Sequence, residues 1–215
     1  MSKIKLPHGS PSLDMTPMVD LAFLLVTFFI LTANFRADEP VIVDTPSSHS
    51  EKILPDNVML VTVDTGGRVF FHIDGAAVKK ELLLKMGQKY GFSALITEND
   101  IKRFTIINAF GVPINQLIDY IRGDEKTRKK MDASTLGIPK DSINNQLGDW
   151  IAYGWNEKQI FQQQKSIPKD NWCRIAIKAD GKTNYKVIKK VIQIFQDRNL
   201  NSFNLITNME TEQIE

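Results

Sequence analysis

The stretch Met15–Phe35 reads MTPMVDLAFLLVTFFILTANF, and its reading governs the rest of the chain. Its 21 residues carry one charge, Asp20. As a helix, about 21 residues reach roughly 30 Å, enough to cross the hydrocarbon core of a bilayer. Leu21 to Ala33 has no charge and is rich in Leu and Phe on every side. A helix that is apolar all round is either deeply buried or in a membrane. A cleaved signal peptide is a poor fit. Lys3 and Lys5 make a weak basic region, Pro7, Pro11 and Pro17 interrupt the approach, and Ala33-Asn34-Phe35-Arg36-Ala37 is a poor cleavage site. A buried core helix is a poor fit too, because no other part of the chain is apolar enough to wrap it. An uncleaved membrane helix over residues 15–35 is the expectation.

Composition agrees with a globular body behind that helix. The chain has 215 residues, 42% hydrophobic and 24% charged, which excludes a disordered or fibrous chain. The net charge of +2 gives no bulk attraction to nucleic acid. One cysteine, Cys173, permits no intrachain disulfide and no cysteine-rich metal site. Three histidines, His8, His49 and His72, lie far apart in sequence and speak against most zinc and triad chemistries. No cofactor is expected. Lys3 and Lys5 precede the span, while only Arg36 follows closely, beside Asp38 and Glu39. The positive-inside rule then places the N-terminus in the cytoplasm and the larger C-terminal part on the outer side of the membrane.

Asp20 is the costly residue. At the centre of a membrane helix an aspartate costs roughly 2.5–3.5 kcal/mol on insertion scales. Two readings remain open. In one it is an interfacial residue near the helix N-terminus, favoured by the macrodipole, with Pro17 marking the helix start. In the other it faces a partner bundle and binds a proton or cation, and moving one charge through the membrane potential releases roughly 2.3 kcal/mol per 100 mV. Thr27 lies two turns further on the same face. It either offers its hydroxyl to a passing ion or bonds back to its own helix, the second being the commoner behaviour.

Asp14-Met15-Thr16-Pro17-Met18-Val19-Asp20-Leu21, followed by Leu, Val and Phe, resembles the opening of the ExbD/TolR family of biopolymer-transport proteins. The resemblance implies a cytoplasmic tail over 1–14, one inner-membrane helix over 15–35, a periplasmic linker over 36–57 and a periplasmic domain over 58–215. It places the ion-carrying aspartate on Asp20. It also implies partners: a multi-helix membrane protein resembling ExbB/TolQ, a second copy of the chain, and an energy transducer resembling TonB or TolA. Together these would be a motor driven by an ion gradient, with protons as the default ion. Two other classes stay in view. One is a membrane-anchored scaffold or binding module in which Asp20 is only a helix-end residue. The other is an anchored enzyme, for which no catalytic constellation is visible.

Within the linker, Val41-Ile42-Val43-Asp44-Thr45-Pro46-Ser47 alternates like a short strand and ends on a proline. The family's linker has a similar segment that pairs as a strand with another copy or holds the domain near the membrane. That resemblance makes Val41, Val43 and Pro46 candidate pairing residues. An unstructured tether is the competing reading.

The domain is expected to be α+β, a small mixed sheet with a helical insertion. Met59–Val63 and Val69–Ile73 alternate around the turn Thr65-Gly66-Gly67-Arg68 and read as a hairpin. Arg174–Lys178 reads as a strand, Tyr185, Ile188, Val191, Ile192 and Phe195 as a helix face, and Ser202–Asn208 as a second strand parallel to the first. Asp180 after the first strand reads as a turn or N-cap residue, because no His, Lys or second carboxylate is spaced to work with it. His72 and Asp74 share a strand face, but two ligands are too few for a metal.

Residues from about 75 to 171 read as an insertion, since by the resemblance a typical family member has one short helix and little else there. Helices are expected over Val78–Tyr90, from Thr97 through Ala109, around Ile114–Ile121, and from Asp141 through Ile143, Leu147 and Ile151. The charged run Asp124–Lys130 reads as a solvated face or loop. Trp150, Tyr153, Trp155 and Trp172 read as core packing first and as a partner surface second.

Overall fold

The computed structural model describes residues 15–32, 47–48, 57–141, 143–206 and 208–209. The chain divides into two compact units, Met1–Ala37 and Asp38–Glu215.

In the first unit α1 spans Thr16–Thr32, 17 residues with none buried. Pro17 sits in its first turn, where a missing N–H costs nothing. At 1.5 Å per residue its rise is about 25 Å. Among the described residues no helix is long and apolar enough to cross a membrane. Residues 33–35 of the expected span lie outside the described ones.

The second unit is built on a five-stranded mixed sheet, in the order β4 (Ala109–Phe110), β3 (Val69–Ile73), β2 (Val58–Val63), β5 (Arg174–Ala179), β6 (Asn204–Ile206). β2 (Val58–Val63) pairs antiparallel with β3 (Val69–Ile73), the expected hairpin. β3 pairs with the two-residue β4 (Ala109–Phe110). On its other side β2 runs parallel to β5 (Arg174–Ala179), which runs parallel to β6 (Asn204–Ile206). The crossover between β5 and β6 is α7 (Tyr185–Asp197), the strand–helix–strand unit expected from the sequence. Met59, Val61, Val63, Phe71, Ile73, Ile175, Ile177 and Ala179 form one face of the sheet and join a single core with the buried residues of the helices. β2 is also buried on its opposite face, at Val58 and Thr62, as a strand in mid-sheet tends to be.

Between β3 and β5 come α2 (Ala76–Tyr90), α3 (Glu98–Ile106), α4 (Ile114–Arg122), α5 (Glu125–Ser134) and α6 (Gln146–Gln164). Local signals end and start them. Gly91 closes α2 in the left-handed conformation, at φ 75°, with its N–H donating to the Gly87 carbonyl. Thr97 and Asp100 form the capping box of α3. Asp124 caps the charged run, which is a solvent-facing helix supported by a Glu125–Lys129 ion pair at 2.6 Å.

Three expectations need correction. The helix from Thr97 ends at Ile106 rather than Ala109, because Ile107 turns extended and the next residues fill the open edge of β3. Asp141 caps no helix. Asn145 accepts from the Gly148 N–H and starts α6 at Gln146, while Asp141 pairs with Lys190 at 2.6 Å and Ile143 is fully exposed. The strand expected over Ser202–Asn208 is two short pairings. Asn204–Ile206 continues the main sheet, and Asn208–Met209 (β7) pairs parallel with Ser47–Ser48 (β1) in a separate two-stranded sheet. Of the linker residues singled out above, Val41, Val43 and Pro46 lie outside the described residues.

Candidate functional site

α1 carries the residues that the sequence singles out. Asp20 is exposed and is its only charged residue, four residues into a helix that continues as Leu, Ala, Phe, Leu, Leu and Val. The flanking Val19 and Leu21 are 65% and 69% exposed. Thr27 lies two turns along. Its hydroxyl donates to the Phe23 carbonyl at 3.0 Å and the Leu24 carbonyl at 2.9 Å. That is the back-bonding expected of a threonine in an apolar helix. Donation occupies the hydroxyl's proton and leaves its oxygen able to accept. Thr32 behaves in the same way, donating to the Phe28 carbonyl at 2.8 Å.

The second unit holds its charges differently. Where the chain begins β2, the Val58 N–H donates to Asp74 Oδ2 at 3.0 Å, and the Asp74 N–H returns a bond to the Val58 carbonyl at 3.3 Å. Asp74 Oδ1 lies 3.0 Å from His72 Nε2, and His72 Nδ1 meets the Asn108 carbonyl. Lys158 donates to the Asp74 carbonyl, and Lys79 to the Ile107 carbonyl at 2.7 Å. Burial works to raise the Asp74 pKa. The hydrogen bonds from His72 and Val58, with the nearby cations, outweigh it and hold the carboxyl below its usual range. Burial lowers both Lys79 and Lys158. The sequence indicated the His72–Asp74 pair but not the two lysines. They come from helices α2 and α6, and Lys158 is 84 residues from Asp74.

A second polar centre ties helices together. Asp149 accepts from Tyr90 Oη at 2.7 Å, Lys89 Nζ at 2.6 Å and Arg198 Nη2 at 3.1 Å. A third is Asp100, paired to Arg122 through both carboxylate oxygens at 3.1 and 2.8 Å. The Arg122 hydrogen bond overcomes burial and holds Asp100 well below the carboxylate range. Of the two readings of Asp180 the structure shows the turn, its Oδ1 accepting from the Lys182 N–H at 2.9 Å, while Asn184 caps α7. Among the described residues no three His, Cys, Asp or Glu side chains converge to hold a metal ion. Cys173 is buried, which pushes its thiol up to about 11 and makes it a poor nucleophile at neutral pH.

The aromatic residues divide. Trp150 is fully buried against Phe110 at 4.8 Å and against Phe71 and Phe104 at 6.2 Å each. Trp172 is half-buried and donates to the Ile167 carbonyl at 2.9 Å. Trp155 lines a cavity of about 650 Å³ with Cys173, Arg174 and Phe203.

The family model described as biopolymer transport protein ExbD/TolR matches residues 7–210. The chain belongs to the ExbD/TolR family. The match includes α1 with Asp20 and Thr27, the hairpin, and the β5–α7–β6 unit. The quoted motifs cover about half the chain, whereas the bounds of the match bracket nearly all of it, the helical region 75–171 included. ExbD/TolR proteins are transport accessory proteins of the inner membrane, working with ExbB/TolQ and TonB/TolA partners. No curated protein and no solved structure matches the chain.

Proposed function

We propose that this ExbD/TolR protein is a subunit of an inner-membrane motor driven by the ion gradient, with Asp20 in the ion path. The observation that carries the reading is α1: an apolar helix with no residue buried and a single carboxylate. Such a surface is stable only against lipid or partner helices. A lone carboxylate there is expensive unless it meets a proton, a cation or a polar partner. α1 with its flanking residues spans the bilayer, the N-terminus lies in the cytoplasm and the second unit in the periplasm. Two copies of α1 sit within a multi-helix ExbB/TolQ-like partner. Asp20 takes up and releases the ion, and the Thr27 oxygen, two turns along, is offered to the ion as it passes. The second unit passes the work to a TonB/TolA-like transducer, energising outer-membrane transport or envelope processes. Region 75–171 is an addition to the minimal family domain, and Val41, Val43 and Pro46 form a pairing segment in the linker.

The test is purification of the full chain from detergent-solubilised membranes, with mass spectrometry of what accompanies it. The reading expects a multi-helix membrane protein in excess over this chain. Recovery of the chain alone, or only with periplasmic proteins, would overturn it in favour of an anchored scaffold.

A further inference from the structure

The C-terminal ends of α3 and α4 and the start of α5 enclose a cavity of about 360 Å³, lined by Arg103, Ile106, Ile107, Arg122, Asp124 and Arg128 among others. Three guanidiniums in one small cavity call for an account of where their charge goes. Arg122 is neutralised by its two-oxygen pairing with Asp100. Arg103 spends one donor on the Arg122 carbonyl at 2.7 Å, and Arg128 one on the Gly123 carbonyl at 3.3 Å. These consecutive carbonyls at the end of α4 hold both side chains over the same opening. A guanidinium has five N–H donors, so both keep donors for a ligand. The acid on the rim, Asp124, caps α5 by accepting from the Thr127 N–H at 3.0 Å and keeps its charge, and Asp124, Glu125 and Asp132 all lie within electrostatic reach of Arg128. Beside the arginines lies apolar surface, Ile106 being 78% exposed at the cavity.

We infer that this cavity is a binding site for a carboxylate carrying a short apolar arm, held by Arg103 and Arg128 with the arm against Ile106 and Ile107. A guanidinium matches the planar, two-oxygen geometry of a carboxylate. The Asp124 charge on the rim disfavours a dianion such as phosphate, and the isoleucines favour an aliphatic group. The volume lies at the small end of the roughly 300–1,000 Å³ typical of ligand sites, so it admits one side-chain-sized group. The carboxylate belongs either to a free small acid or to the C-terminus of a protein chain. The inference is independent of the ion-path reading, since α1 contributes nothing to it.

The experiment uses the full chain in detergent micelles with its isoleucine methyl groups isotopically labelled for NMR. N-acetyl-leucine is titrated in, with N-acetyl-leucinamide and inorganic phosphate as controls. The expected result is a saturable shift of the Ile106 and Ile107 methyl signals by the acid alone. Arg103→Gln and Arg128→Gln are each expected to weaken it about ten-fold, the loss of a charge-assisted hydrogen bond. The amide control needs no variant, so it decides the matter even if the substitutions disturb the end of α4. Equal shifts by the amide, equal or stronger shifts by phosphate, or no shift at millimolar acid would each overturn the inference. A tetrapeptide ending in leucine distinguishes the sources: tighter binding than N-acetyl-leucine indicates a chain terminus, and equal binding a free acid.

Discussion

The two units of this chain treat apolar surface and charge in opposite ways. α1 exposes nearly every Leu, Val and Phe it has and shows one carboxylate among them. The second unit hides Phe71, Trp150, Phe195 and some thirty other apolar side chains and buries charges with them, among them Lys79, Asp100, Asp132 and Lys158. Three of these have local compensation, Lys79 and Lys158 in backbone carbonyls and Asp100 in Arg122, while Asp132 is the exception. Asp20 stands as the single carboxylate of a helix with no buried residue. The difference teaches where the second unit finds its stability, within itself, and it is why lipid or partner helices were proposed above as the surroundings of the first.

The comparison breaks first at Asp20. Asp20→Asn is expected to abolish ion-driven function while leaving the partner complex intact and the unfolding of the second unit unchanged. A complementation assay with co-purification reads both, and retained function would leave α1 as an anchor alone. The reverse case is Trp150→Ala, which should cost the second unit about 3–5 kcal/mol in denaturant unfolding, because a large cavity opens among Phe71, Phe104 and Phe110. An equal loss of membrane association by that variant would show the two units to be coupled.

A finer probe is Gly111→Ala. A Cβ there would stand 2.2 Å from Phe70 Cδ1, so Phe70 must move, at a cost of about 2 kcal/mol readable as a lowered unfolding midpoint. The smallest effect belongs to Asp132. Burial raises its pKa to about 6, against the Tyr120 hydrogen bond and the Arg128 and Arg68 charges, and among the described residues its Oδ1 has no hydrogen-bond partner. The native state therefore binds this proton more tightly than the unfolded chain, whose aspartates titrate near pH 4. Asp132 thus withdraws stability as pH rises from about 4 to about 6, and its cost is full above that window. Asp132→Asn should remove this slope and gain on the order of 1–2 kcal/mol at pH 7 relative to pH 4. Unfolding curves across that range check it, and an unchanged slope would refute it.

How much of this was legible in the sequence follows from the range of each interaction. The β2–β3 hairpin is written in two alternating runs around Thr65–Arg68, and α7 in the spacing of Val191, Ile192 and Phe195. Thr97 and Asp100 announce α3 because their cap is closed by residues three apart. β4 left no such mark. Two residues became a strand because β3 offered them a free edge, which is a tertiary fact. Asp141 misled because Asx-type caps near apolar residues are common, and Asn145 stood four residues further on with better geometry. Asp20 was conspicuous for the opposite reason, a lone charge in an apolar run. The clusters around Asp74 and Asp149 were not visible, since their members meet only after α2, α6 and α7 have packed.

The placement of β2 has a mechanical consequence. Its first residue, Val58, is where the chain enters the sheet, and from there β2 lies between β3 and β5 over its whole length. A pull along this strand toward its N-terminus loads both ladders in shear, so several backbone bonds must rupture together, with the Val58–Asp74 clasp among the first to bear load. A pull on β6, which has one neighbour and three residues, would peel it bond by bond. The five-stranded sheet is therefore built to resist tension along β2 and to yield at β6.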